Sequence, residues 1–373
     1  MPSHAHLKAA PFALAILLAI ALVLSAPFVG QIRNAIRAHF PGHFVLVVGG
    51  IGGTLLLIAL ISAAVRIRER RAARYGAIAA ALAIAVAYST FNAGANPESN
   101  AVERFHFLEY GLVAFLFYRA WRPLGDVAIV LLPALAGLMV GAAEEWFQWF
   151  IPNRVGELRD VFLNLVAIGC GLLFSVAVQP PDTFQFALRR GSLSRILRMT
   201  AATIVVLAAF LHIVHFGYAV VDAEAGTFMS RYTGQQLLAM QADRIDRWRT
   251  HPPPLVVVRL SREDQYLSEG IEHVMTRNEL WTAGDPGGAF HENLILEKYF
   301  APVLDTPSYA GKAGHRWPPE QRADAEARAA GVAREGFVSG AYPYRVLTWN
   351  RPLFWLVTLS LCAALLFVGR RSN

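Results

Sequence analysis

The sequence predicts an all-α polytopic membrane protein of about eight transmembrane helices, with a small, mainly helical α+β extracytoplasmic domain. Three observations carry this. The 373 residues are 55% hydrophobic and only 16% charged, with a mean hydropathy of +0.39, a composition foreign to soluble proteins. Apolar runs recur near the ~20 residues that cross a hydrocarbon core. Arginines crowd into short loops between those runs, the pattern that fixes orientation in a membrane.

The predicted spans fall, in order, at residues 11–29, 43–65, 75–91, 105–118, 126–150, 160–178, 199–221 and 352–368. The fourth is short. Lys8 precedes the first span, and Arg66, Arg68, Arg70, Arg71 and Arg74 follow the second. Arg119 and Arg122 follow the fourth, Arg189, Arg190, Arg195 and Arg198 follow the sixth, and Arg370 and Arg371 close the chain. All lie on one face if both termini are cytoplasmic. Arg33 and Arg37 in the first outward loop are a mild exception. The first run, with its basic flank and a Ser-Ala-Pro near its end, also fits a signal peptide. Removing it would break the charge alternation, so an uncleaved span is expected. Cys170 and Cys362 both fall inside spans, which argues against a disulfide framework.

Residues 222–350 are the one stretch of soluble character, long enough for a small domain and placed outside by the same alternation. This stretch is net acidic although the chain carries +7 overall, so the positive charge belongs to the membrane loops rather than to a nucleic-acid surface. Helices are expected at 234–248, from a capping box at Ser261 and Asp264 to about Trp281, at 291–300 and at 319–333. A β-branched run at 255–260 reads as a strand. The domains are thus a bundle at 1–221 with its core at about 75–178, a periplasmic domain at 222–350, and a last span with a cytoplasmic tail at 351–373. Gly49 with Gly53 and Gly137 with Gly141, each pair four apart, allow close helix packing within the bundle.

Two polar clusters interrupt the apolar pattern. Glu144 and Glu145 sit near the end of the fifth span, with Gln148 four residues after Glu144. Charge at membrane depth is costly, so it is retained with a partner or a task. After Pro152 come Arg154, then Asp160 and Asn164 on one helical face. Upstream, Glu103, His106 and Tyr110 share a face at spacings of three and four. The topology brings all three clusters to the outward end of the bundle. Packed together, Glu144 or Glu145 would pair with Arg154, while His106 and Asn164 complete the hydrogen bonds. Alternatively, a carboxylate beside His106 would act as acid or base, with Arg154 and Arg159 clamping a phosphate or carboxylate. The structural alternative is an interfacial belt in which Trp146, Trp149 and Phe150 meet headgroups. That reading suits Glu103, Glu157 and Arg159. His212 and His215, near the end of the seventh span, have ligand-like identity without ligand spacing, so no metal is expected. In the outer domain the pairs His291–Glu297 and Glu263–His273 are expected to be solvated surface. No phosphate loop, nucleophile elbow or zinc spacing occurs.

The segment EEWFQWFIPNRVGELRDVFLNLVAIGCG resembles the signature of VanZ-like membrane proteins, a family named after a teicoplanin-resistance protein. Its acidic pair, Gln, Pro, Arg and an Asp–Asn pair four apart fall on Glu144, Glu145, Gln148, Pro152, Arg154, Asp160 and Asn164. The family's upstream His and Tyr match His106 and Tyr110. The chain departs from the family at Glu103, where Lys is common, at Phe147, where His is common, and at Ala167 in place of Gly. The resemblance covers about 103–178 and implies a cell-envelope role rather than a particular reaction.

Three functions follow as expectations. The first is binding of a lipid or lipid-linked glycan headgroup at the outward polar site, in cell-envelope or surface-polysaccharide metabolism. Tyr110, Gln148, Arg154, Asp160 and Asn164 would be its substrate-binding residues. The second is an enzyme acting on a lipid-linked substrate, with Glu144, Glu145 and His106 as the catalytic candidates and Glu144 or Glu145 as general base. The third is a structural subunit whose outer domain docks a periplasmic protein. No cofactor, metal or nucleic acid is expected, and the inner membrane of a bacterium is the expected location.

Overall fold

A computed structural model describes residues 9–151, 156–251, 262–306, 314–330, 336–342 and 345–371, with backbone alone at 262–264. The chain forms two compact units. One comprises Met1–Phe147, Gly156–Phe210 and Pro352–Asn373; the other comprises Gln148–Val155 and Leu211–Arg351.

The first unit is a helical bundle. Its elements are α1 (Ala9–His39), α2 (Phe44–Arg66), α3 (Arg71–Phe91), α4 (Pro97–Trp121), α5 (Ala128–Gln148), α6 (Leu158–Val178), α7 (Arg190–Phe210) and α13 (Arg351–Arg371). Seven of these, all but α4, are long and apolar enough to cross a bilayer, which makes the unit a multi-pass membrane bundle. The predicted fourth span lies inside α4. At 25 residues α4 reaches about 37 Å, but Glu98, Glu103, Arg104, Glu109 and Arg119 punctuate it.

Burial separates centre from periphery. More than half of the apolar stretches of α5 and α6 is buried, against less than a quarter in the other five candidate spans. Leu17, Leu46 and Leu356 are more than 60% exposed, as side chains facing lipid rather than a protein core. The centre is α4 with α5 and α6, packed around Tyr110, Val113, Ala114, Phe117, Leu132, Ala167 and Ile168. Glycines set how closely these helices approach. A Cβ on Gly171 would lie 2.6 Å from the Gly111 Cα, and one on Gly137 would lie 2.7 Å from Ile168. Gly49 and Gly53, by contrast, face open space.

At one end of the bundle the orphan carbonyls of α6 are capped from other helices. Arg74 donates to Ala177 at 2.5 Å and to Val178 at 2.8 Å, and the Tyr118 hydroxyl donates to Gln179 at 2.7 Å. Cationic donors suit a helix C-terminus. Arg122 pairs with Asp182 at the same end. At the other end Asn96 caps α4, accepting from the amides of Glu98 and Ser99, with Pro97 at the first helical position.

The second unit opens with an antiparallel hairpin, β1 (Tyr218–Asp222) and β2 (Gly226–Ser230). The tight return uses Gly226 at φ +97, where a Cβ would meet the Phe337 carbonyl at 2.7 Å. Helices α8 (Gly234–Thr250), α9 (Arg262–Thr282), α10 (Pro286–Tyr299), α11 (Ala301–Leu304) and α12 (Pro319–Ala329) follow. Thr233 and Gln236 form a reciprocal capping box for α8, and Asp285 caps α10 ahead of Pro286. Phe228, Leu237, Tyr266, Ile295, Leu296, Phe300 and Val303 make the core.

Two expectations are corrected here. The seventh predicted span, 199–221, ends early: α7 stops at Phe210, a π turn covers Leu211–His215, and the β-branched tail pairs as β1. His273 is not solvated surface. It is 2% exposed and its Nδ1 lies 2.6 Å from the buried Glu292 carboxylate. The predicted strand at 255–260 and the predicted cap at Ser261 lie outside the described residues, as does the Glu263 side chain.

Candidate functional site

Helices α4, α5 and α6 bring polar side chains into one buried cluster at the end of the bundle opposite the arginine caps. Tyr110 on α4 faces Glu144 on α5, both on the buried faces of their helices. The Tyr110 hydroxyl donates to Glu144 Oε2 at 2.5 Å, with both residues buried. Glu145 is fully buried, and its Oε2 accepts the Glu157 amide at 3.1 Å. The chain approaches so closely here that a Cβ on Gly156 would meet the Glu145 carbonyl at 2.2 Å. The α5 carboxylates are thereby tied to α4 on one side and to the entry of α6 on the other.

Asn164 lies one turn deeper on α6. Gly141 makes room for it: a Cβ there would stand 3.2 Å from the Asn164 amide nitrogen. Gly141 precedes Glu144 by three residues, about 4.5 Å along the helix. Asn164 is 0% exposed, and neither its amide nitrogen nor its oxygen has a hydrogen-bond partner among the described residues. An unpaired amide in an apolar interior costs about 1–3 kcal/mol, so its presence there needs a reason.

His106 is half-buried one turn before Tyr110, with ring centroids 6.1 Å apart and the planes at 24°. Its Nδ1 stands 3.8 Å from Glu109 Oε2, beyond hydrogen-bond reach. Asp160 occupies the first turn of α6, where a carboxylate favours the helix dipole, and is half-buried. Glu103 pairs with Arg159 at 2.9 Å on the exposed rim, a contact worth at most about 1 kcal/mol. Beside it a small open cleft is lined by Tyr88, Asn92, Asn100, Glu103, Arg104 and Phe107. Burial pushes the Glu157 carboxyl above its ordinary value, and Asp160 adds to this.

The structure therefore joins Glu144, Glu145, Tyr110 and Asn164, with His106 stacked beside them. Gln148 ends α5, is 4% exposed and belongs to the other compact unit. Arg154, with Pro152, lies outside the described residues, so its expected pairing with the carboxylates is not described. Sequence reasoning missed Gly111 and the function of Gly141 as the seat of Asn164. The second had a signal in the Gly137–Gly141 spacing; the first had none. His212 and His215 lie in the other unit, where the His215 Nδ1 meets the Arg345 carbonyl at 3.1 Å. Among the described residues no group of three His, Cys, Asp or Glu side chains has a metal-binding arrangement.

No protein-family model, no curated protein and no solved structure matches this chain.

Proposed function

We propose that this chain is a VanZ-like protein of a bacterial cytoplasmic membrane that binds the polar headgroup of a lipid or lipid-linked glycan. The fully buried amide of Asn164, which has no partner among the described residues, beside the Tyr110–Glu144 pair carries this reading. A donor and an acceptor held together in an apolar interior suit the hydroxyls of a sugar or glycerol headgroup, which exchange one hydrogen bond with each. In this reading α4 counts as an eighth span, both termini are cytoplasmic, and residues 222–350 are periplasmic. Support for the orientation comes from Arg74 and Arg122, which gather at the bundle end away from the carboxylates.

Binding is favoured over general-base chemistry because both carboxylates already hold donors, Tyr110 on Glu144 and the Glu157 amide on Glu145. The test is lipid analysis of the purified full-length protein by mass spectrometry. A headgroup class should be enriched over the bulk membrane extract and lost in Asn164→Leu. Equal lipid profiles for wild type and variant would overturn the reading.

A further inference from the structure

A second charged cluster lies wholly in the other compact unit, on residues that no part of the Tyr110–Glu144–Asn164 site uses. Its members come from the ends of three spans and from β2. Trp149 follows α5, His212 follows α7, Arg351 opens α13, and Arg231 follows β2. The Arg231 guanidinium stands over the Trp149 ring at 5.8 Å from its centroid, and the Arg351 guanidinium over the Tyr218 ring at 4.5 Å. Arg351 also donates to the Tyr218 hydroxyl. Both guanidinium groups lie within electrostatic range of the His212 ring, which packs on Phe216 at 5.3 Å, and Phe216 in turn meets Trp349 at 6.1 Å. Two fixed positive charges and an imidazole thus lie among the same set of aromatic rings.

The charges there are not balanced. Neither Arg231 nor Arg351 forms an ion pair among the described residues, and Arg231 Nη1 is buried without a hydrogen-bond partner. One carboxylate, that of Glu269, accepts the Arg231 backbone amide at 3.0 Å. Its oxygens are also occupied by Ser230 at 2.6 Å and Tyr342 at 3.3 Å. Burial pushes that carboxyl above its ordinary value, which weakens it as a counterion. Arg351 also stands at the N-terminus of a 21-residue helix, the end where a cation is disfavoured and an anion favoured. Like charges brought together, with a guanidinium N–H buried and unpaired, are costly unless an anion completes them.

We propose that Arg231 and Arg351, with His212, form a phosphate-binding site for the headgroup of an anionic phospholipid. Guanidinium groups bind phosphate oxygens through paired N–H donors. Trp149, Tyr218 and Trp349 are the side chains that settle at headgroup depth. The span ends that supply the site place it at that depth, which favours a lipid phosphate over a soluble one. The site uses none of the residues of the proposed headgroup site at Asn164 and fails or holds independently of it.

The experiment uses the full-length protein in nanodiscs, with phosphatidylglycerol or phosphatidylcholine as the probe lipid and native mass spectrometry as the readout. Wild type should retain a phosphatidylglycerol in preference to phosphatidylcholine. Arg231→Gln with Arg351→Gln should weaken that preference at least about tenfold, whereas Arg231→Lys with Arg351→Lys should keep most of it. A second arm adds inorganic phosphate to protein in phosphatidylcholine nanodiscs and follows the melting temperature. A phosphate-dependent rise in wild type but not in the Gln pair, without a phosphatidylglycerol preference, would keep the phosphate site and assign it to a soluble anion. The site is disproved if wild type shows neither response, or if a Gln pair that folds like wild type retains both. Should the Gln pair fail to accumulate, the wild-type preference and its survival in the Lys pair decide the matter.

Discussion

The Tyr110 hydroxyl donates to the Glu144 carboxylate across the α4–α5 contact at 2.5 Å, in a part of the bundle where both residues are buried. A hydrogen bond to a charged acceptor in such surroundings is among the stronger ones, about 1.5–3 kcal/mol. Tyr110→Phe removes the donor and keeps the ring. The variant should melt several degrees below wild type in detergent, as followed by tryptophan fluorescence. Glu144→Gln, which can still accept at its carbonyl oxygen, should lose less. A Tyr110→Phe protein as stable as wild type would show that the contact does not hold α4 to α5.

Glycine contacts in α6 give a paired test. A Cβ on Gly171 would lie 2.6 Å from the Gly111 backbone, whereas one on Gly169 meets nothing within 4 Å. Gly171→Ala should force α4 and α6 apart, costing about 1–3 kcal/mol or more. Gly169→Ala should be neutral or slightly stabilising, through helix propensity. Thermal melting of the two variants in one detergent reads the contrast, and equal midpoints would contradict the close approach.

Much of this was legible before any coordinates. Apolar runs marked seven of the spans because a 20-residue apolar stretch has few other uses, and the Glu144–Asn164 grouping was expected from the alternation of the predicted spans. The Gly111–Gly171 contact was not legible, since many bundle glycines, such as Gly49, touch nothing. The β1–β2 hairpin was hidden because Tyr218–Asp222 continues an apolar run, and a β-branched tail reads equally well as span. His273 misled for a different reason. Its partner Glu292 lies on α10, 19 residues away, and spacing within one helix could not reveal it.

The hairpin turn supplies a pH prediction. Asp222 accepts the amides of Ala225 and Glu224, the Tyr299 hydroxyl at 2.8 Å and the Lys298 ammonium at 2.7 Å. Although burial works against it, these donors hold its carboxyl well below the ordinary 3.8. Because the folded-state pKa lies below the unfolded one, the stabilisation is fully present above about pH 4 and is lost as the pH falls through the folded value. The melting temperature of Asp222→Asn should therefore fall below that of wild type at pH 7, and the gap should narrow steadily below pH 4. A gap independent of pH would mean that the carboxylate charge does not contribute.

The account rests most heavily on Asn164, and one substitution tests it directly. Leucine keeps the branched shape of asparagine, though it is larger, and removes an amide that has no partner among the described residues. If a headgroup completes that amide, Asn164→Leu in purified full-length protein should still fold without lipid, losing no more than the ~1–3 kcal/mol that the added volume can cost. It should also lose the headgroup class that wild type retains, as measured by mass spectrometry of the bound lipids. A variant that melts lower and keeps the same bound lipids would contradict the account, because Asn164 would then be structural.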